Sequence, residues 1–229
     1  MSLSERLEVI HSKIDRAAGK TGRSLKDIAL VAVTKGVPLE RIEEARACGS
    51  SLFGENRVQE AEPKILGAAP PPPEWHMVGH LQSNKVKTAV SLFQMIQSVD
   101  SVRIAKEISA EAEGTNRQIP VLLEVNISGE VKKFGFNPEE VYAAVEEIVK
   151  LPNVKVMGLM GIGPLGAAEE ALRGSFKKLR NIFSVCKALK RENLEMKHLS
   201  MGMSDDYEIA IEEGSNMVRL GRAIFGARG

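Results

Sequence analysis

Ile28-Ala29-Leu30-Val31-Ala32-Val33-Thr34-Lys35, followed by Gly36-Val37-Pro38, decides how the rest of the chain is read. Asp27 opens an apolar run rich in β-branched residues, and a glycine and a proline close it. A run of that kind between breakers reads as a buried strand. Alternate side chains of a strand share a face, so Lys35 lies on the side of Val33, Val31 and Ala29. Leu30, Ala32 and Thr34 take the other side. If the sheet closes into a barrel, the Lys35 amine stands at the carboxyl rim, aimed into the mouth. A lone lysine at a strand end is ordinarily a solvated one, so the other strand ends must decide between the two readings.

The same unit recurs along the chain. Residues 4–18 carry apolar positions at spacings of three and four behind Ser4 and Glu5, which predicts an N-terminal helix with a capping serine ahead of the first strand. Gly19-Lys20-Thr21 lacks the glycine that a phosphate loop needs five residues earlier and reads as a helix end. After the opening strand come a helix over 38–47, a strand over 51–56 and a helix over 57–66. The proline run 70–73 is a stiff surface loop. Strands over 75–79, 95–100, 119–127, 154–162 and 196–202 alternate with helices over 86–93, 102–113, 167–191 and 205–213. Asn137-Pro138-Glu139-Glu140 predicts a capped helix start after a loop at 128–137. Met217 to Gly226 reads as an eighth strand. Eight strands alternating with helices in 229 residues match one (β/α)8 TIM-type barrel spanning 1–229, preceded by an extra helix. A doubly wound sheet is the alternative, but the glycine-rich dinucleotide turn after the first strand is absent.

Composition excludes several classes. Lys and Arg total 31 against 30 Asp and Glu, and a net charge of +1 leaves no electrostatic footprint for nucleic acid or an anionic membrane. Cys48 and Cys186 lie far apart in predicted helices, with no ligand spacing for zinc and no disulfide framework. The charged N-terminus has no apolar core of a secretory signal, and no apolar run reaches membrane length. A soluble, cytoplasmic protein without a bound metal is expected.

In such barrels sites form where strands end. Those ends supply Lys35, Asn56, His80, Asp100, Asn126, Met160, Ser200 and Arg219-Leu220-Gly221-Arg222. Asp100 and Asn126 read equally as caps or turn formers, and Asn56 as a cap. His76 reads as a hydrogen-bonded core histidine. His198 shares the face of Ser200, with no metal partners evident. Ser200-Met201-Gly202 and Gly221-Arg222 close the last two strands, where backbone N–H groups, a hydroxyl and close-approaching glycines make phosphate sites. Arg219 shares the face of Gly221. A rim lysine opposite a phosphate cradle suggests a phosphorylated aldehyde held as a Schiff base.

Several segments together resemble one family: Val31 to Lys35, Phe53-Gly54-Glu55-Asn56, Trp75 to Lys85, Leu199 to Asp205, and Val218 to Gly226. They are similar, in order and across essentially the whole chain, to the pyridoxal phosphate homeostasis proteins (the YggS/PROSC family). The resemblance implies the barrel of the alanine racemase N-terminal domain. It implies that Lys35 binds pyridoxal 5′-phosphate (PLP) covalently as a Schiff base. Ser200, the backbone at Met201, Gly221 and Arg222 would hold the phosphate. Arg219 would face the pyridine nitrogen and Asn56 the ring, with His80 and Met160 near the pocket.

An arginine keeps its proton, and beside the pyridine nitrogen it disfavours the protonated ring that transamination needs. Two-base racemases of the resembled fold draw a tyrosine from a further C-terminal domain, for which this chain has no segment after its eighth strand. Tyr142 and Tyr207 both fall on predicted helices outside the mouth. The expectation is therefore a monomeric PLP-binding protein of vitamin B6 homeostasis and delivery, not an enzyme, with apo-enzymes that use PLP as candidate recipients. The alternatives are a weak PLP-dependent amino-acid racemase and a Schiff-base sugar-phosphate aldolase.

Overall fold

The computed structural model describes residues 1–130 and 133–226. Two residues of the loop expected at 128–137, and the last three of the chain, lie outside them. Eight parallel strands close into a barrel in chain order. They are β1 (Ala29–Val33), β2 (Leu52–Glu55), β3 (Glu74–Met77), β4 (Met95–Val99), β5 (Ile119–Val125), β6 (Val154–Gly161), β7 (Leu194–Ser200) and β8 (Met217–Leu220). Closure runs through β1 and β8, with Ala29 opposite Met217 and Val31 opposite Arg219. The expected (β/α)8 architecture is the one observed.

Helices α1 (Leu3–Gly19), α2 (Leu39–Ala47), α3 (Val58–Gly67), α4 (Val86–Leu92), α5 (Val102–Glu111), α6 (Val141–Ile148), α7 (Glu169–Lys187), α8 (Tyr207–Glu212) and α9 (Arg222–Phe225) surround it. The extra helix α1 buries Leu3, Leu7, Ile10 and Ile14 and packs on α8 and α9. Arg16 and Lys20 pair with Glu208 and Glu212 at 2.9 and 2.6 Å. Its cap is Ser2, not Ser4: the Ser2 hydroxyl accepts the Glu5 N–H while the Glu5 carboxylate accepts the Ser2 N–H.

Several other boundaries differ from the expected ones, two of them for a visible reason. The side chain of Asn137 donates to the Glu140 carboxylate at 3.0 Å, so it caps no amide; residues 138–140 form turns and α6 begins at Val141. The eighth strand stops at Leu220 because the Gly221 carbonyl accepts the N–H groups of Ile224 and Phe225 at 3.0 and 2.9 Å, turning the chain into α9. Cys48 stands just past the end of α2, and both cysteines are free.

Strand alternation divides the side chains between two cores. The larger lies between strands and helices and includes Phe53, Trp75, Leu123 and Phe176. The smaller fills the barrel with Val31, Val78, Met95, Leu122, Met160 and Met217. His76, Gln97, Ser200 and Arg219 are buried with the inner set. Among the described residues no helix is long and apolar enough to cross a membrane, and no cluster of three or more His, Cys, Asp or Glu could hold a metal ion.

One glycine holds β6 against β7. Gly158 pairs with His198 beside a register shift, at φ +147°, and a Cβ there would sit 1.8 Å from the His198 carbonyl oxygen. Gly158→Ala is expected to lower unfolding free energy in urea by more than about 3 kcal/mol, beyond the 1–3 kcal/mol that backbone strain alone imposes. Gly174→Ala, on the open face of α7 with nothing within 4 Å, should raise it by about 0.5–1 kcal/mol. Equal effects at the two positions would contradict the register.

Candidate functional site

Lys35 lies two residues beyond β1, half-buried, in a loop fixed on both sides. The Thr34 N–H donates to the Gly54 carbonyl at 2.9 Å, continuing the ladder past the strand. The Thr34 hydroxyl donates to Glu55 at 2.6 Å. Lys64, reaching in from α3, donates to the Thr34 carbonyl at 2.8 Å, to Glu55 at 2.6 Å and to Glu60 at 2.8 Å. Glu60 in turn accepts the N–H of Gly36, whose φ of +69° makes the turn. The Glu55 side chain is fully buried, and burial raises its pKa against the pull of Lys64 and Thr34. Lys64 is thus spent on carboxylates. Lys35 enters no ion pair or hydrogen bond among the described residues, and it lines a cavity of about 800 Å³ with Asn56, Arg57, His80 and Lys85. A smaller cavity of about 160 Å³ joins Lys35 to Gly221 and Arg222.

Arg219 occupies the inner side of β8, 5% exposed. One Nη donates to the Ser200 hydroxyl at 2.7 Å and the other to the Gly161 carbonyl at 3.0 Å. A guanidinium has five N–H donors; the remainder find no acceptor among the described residues. Burial lowers its pKa to about 10 against the opposing charges of Glu124 and Asp206, so it stays cationic at neutral pH. Glu124, 7% exposed on β5, forms no side-chain hydrogen bond among the described residues. Burial lifts its pKa to about 7, with Arg219 pulling the other way. Sequence reading missed Glu124, although its signal is plain: a carboxylate two residues after Leu122, on the inward register of an apolar strand.

At the end of β7 the expected phosphate donors are rearranged. Ser200 is fully buried, and its hydroxyl donates to Gln97 at 2.7 Å while accepting from Arg219. The Met201 N–H is spent on the Met217 carbonyl at 3.1 Å, and its side chain packs in the outer core. Neither is placed to meet an anion at the rim. The hydroxyl that reaches α9 belongs to Ser204, which accepts the Ala223 N–H at 3.1 Å. The N–H groups of Gly221 and Arg222, at the start of α9, have no acceptor among the described residues. The Arg222 side chain is exposed and pairs with Asp205.

The other expected positions divide. Asn56 caps no helix and lines the Lys35 cavity; Gly79 backs it so closely that a Cβ there would lie 2.5 Å from the Asn56 carbonyl. His80 accompanies it, held by Asp100 at 2.8 Å and stacked on Phe134 with ring centres 3.7 Å apart. Asp100 is therefore no cap; Ser101 caps α5. Asn126 is the turn former expected, donating to the Glu130 carbonyl at 2.9 Å. Met160 lies in the inner core opposite Ser200, below the mouth. His76 is the hydrogen-bonded core histidine expected. Tyr142 is exposed on α6, and Tyr207 is buried in the outer core, where burial raises its pKa to about 12.

Residues 7–229 match the family model described as "Alanine racemase, N-terminal domain". The "Pyridoxal phosphate homeostasis protein" of Aquifex aeolicus is 42% identical over 229 residues, covering 100% of this chain and 99% of its own. That of Pseudomonas aeruginosa is 39% identical over 227 residues, with 99% and 96% covered. The chain belongs to the pyridoxal phosphate homeostasis protein family. Among solved structures, PipY of Synechococcus elongatus with PLP bound aligns with a TM-score of 0.85 at 32% identity, covering 98% of this chain and 100% of that one. Alanine racemase of Clostridium difficile shares the fold alone, with a TM-score of 0.71 at 16% identity over 99% of this chain and 56% of the racemase.

Buried Glu124 and half-buried His198 give stability opposite pH slopes. Folded Glu124 keeps a proton that an ordinary glutamate releases at 4.5, so its contribution declines as pH rises from about 4.5 to about 7. Burial lowers His198 from 6.5 to about 4, so its contribution declines as pH falls through that window. Urea unfolding at pH 5 and pH 8 should show Glu124→Gln gaining on the wild type at the higher pH by on the order of 2 kcal/mol. His198→Gln should gain at the lower pH. Variant curves parallel to that of the wild type would contradict these placements.

Proposed function

We propose that this protein holds PLP covalently at Lys35 and serves intracellular vitamin B6 homeostasis, retaining a reactive aldehyde and releasing it to apo-enzymes that require it. The observation that carries the reading is Lys35, unpaired among the described residues, at a cavity that it shares with Gly221 and Arg222, whose N–H groups find no acceptor among those residues. The donor set suits PLP at both ends. When bound, PLP supplies an aldehyde, which a neutral amine captures with loss of one water. Lys35 supplies that amine, and Lys64, locked among carboxylates, does not compete.

Ser204 and the N–H groups of Gly221 and Arg222 hold the phosphate, since two free amides at one chain turn suit an anion. Arg219 directs its remaining donors toward the pyridine nitrogen. Its charge keeps a proton off that nitrogen and so weakens the ring as an electron sink. Ser200 acts one layer below, as the acceptor for Arg219. Asn56 and His80 border the ring on the β2–β3 side, and Met160 forms the floor. The family assignment supports holding over turnover, as do the two tyrosines, neither of which reaches the mouth. Glu124 favours the second reading, a weak racemase, because a carboxyl titrating near 7 beside Arg219 could exchange a proton with a substrate.

PLP-loaded wild type is expected to show a visible absorption band that Lys35→Ala lacks. Ser204→Ala should keep the band and weaken PLP affinity about tenfold to a hundredfold, the effect of losing one hydrogen bond to a charged group. A band that survives Lys35→Ala would overturn the attachment site. A protein that stays colourless with PLP would favour the aldolase, and substantial racemisation, decarboxylation or transamination would overturn the holding role.

A further inference from the structure

The guanidinium of Arg219 is the upper end of a hydrogen-bond chain that crosses the whole barrel. Arg219 donates to the Ser200 hydroxyl at 2.7 Å, and Ser200 donates to the Gln97 side-chain carbonyl at 2.7 Å. The Gln97 Nε2 lies 2.8 Å from His76 Nδ1, and His76 Nε2 lies 2.9 Å from the Glu74 carboxylate. The links pass from β8 to β7, across the interior to β4, and then to β3. They end on a side chain 54% exposed at the floor. Ser200 and Gln97 are fully buried and His76 is 1% exposed.

Donor capacity gives the chain one direction. The Gln97 amide nitrogen has two hydrogens, one directed to His76 and the other to the Met217 sulfur at 3.2 Å. Its oxygen accepts from Ser200. Turning the amide over would set its N–H groups against the Ser200 hydroxyl hydrogen and its oxygen against two acceptors. With His76 as the Nε2–H tautomer, whose proton the Glu74 carboxylate accepts, every link from the cation of Arg219 to the anion of Glu74 donates the same way. Interiors of such barrels are filled mainly by branched apolar side chains. A polar chain placed there is tolerated only when each member is satisfied; from Ser200 to Glu74 every link is made, and only Arg219 keeps donors to spare.

We propose that Gln97 and His76 are positioning residues for Arg219, acting through Ser200 to hold the guanidinium with its unspent donors toward the mouth. Neither residue touches the Lys35 cavity. The inference rests on the reading that Arg219 faces the pyridine nitrogen.

The test separates the two claims. In protein free of PLP, the side-chain ¹⁵N resonances of Arg219 report its orientation directly. Gln97→Leu should shift and broaden them and, once PLP is added, weaken affinity about tenfold and move the visible band. Gln97→Glu keeps an acceptor for Ser200 and pairs with His76 protonated at Nδ1, so it should restore the wild-type resonances and band. The double variant His76→Leu/Gln97→Glu should lose them again. If Gln97→Leu does not fold, Gln97→Asn, too short to span Ser200 and His76, reports the same loss. Wild-type Arg219 resonances in a folded Gln97→Leu or Gln97→Asn protein would overturn the proposal. An Arg219→Leu protein whose PLP band matches the wild type would instead overturn the pyridine reading and leave the free-protein result standing.

Discussion

A closed barrel offers each strand residue two destinations, the interior or the helix layer, and strand alternation chooses between them. Most of this protein's chemistry follows from that constraint. The register that places Val31 and Val33 inward carries Lys35 to the rim. The same rule sends Glu124 and Arg219 inward from β5 and β8 and Thr34 and Glu55 outward toward α3. The two sides have opposite electrostatic fates. Outside, Lys64 pairs with the carboxylates that fix the lysine loop; inside, Arg219 and Glu124 are both buried without forming an ion pair.

Under the proposed attachment at Lys35, selectivity comes from the contrast between the two lysines. An amine captures an aldehyde only when it is deprotonated and within reach. Lys64 is enclosed, its amine spent on two carboxylates and a carbonyl. It anchors the backbone on each side of the amine that remains available. On that reading, position and reactivity are divided between two residues of the same type, with α2 and β2 between them in the chain.

Much of this was legible in the sequence because it depends on local pattern. Apolar runs bounded by breakers located all eight strands, and parity placed Lys35 and Arg219 on inward faces. What was not legible depends on contacts between distant segments. Ser200 reads as an anion ligand until Gln97, 103 residues away, is seen to take its hydrogen. Met201 reads as a free amide until Met217 takes its N–H. Ser204 and the short helix α9 emerge only when the chain is seen to turn at Gly221, because Val218 to Phe225 has the composition of a longer strand. Glu124 differs: its inward register was readable, but the burial that moves its pKa toward neutrality is a property of the assembled barrel.

The central claim is that one particular amine holds the cofactor. The most direct measurement is to load the protein with PLP, reduce with borohydride to fix any imine as a stable secondary amine, and locate the adduct by peptide mass spectrometry. A single modified site, Lys35, at one equivalent per chain, is the expected result. An adduct confined to Lys85 or Lys64, or spread over surface lysines with Lys35 unmodified, would contradict it.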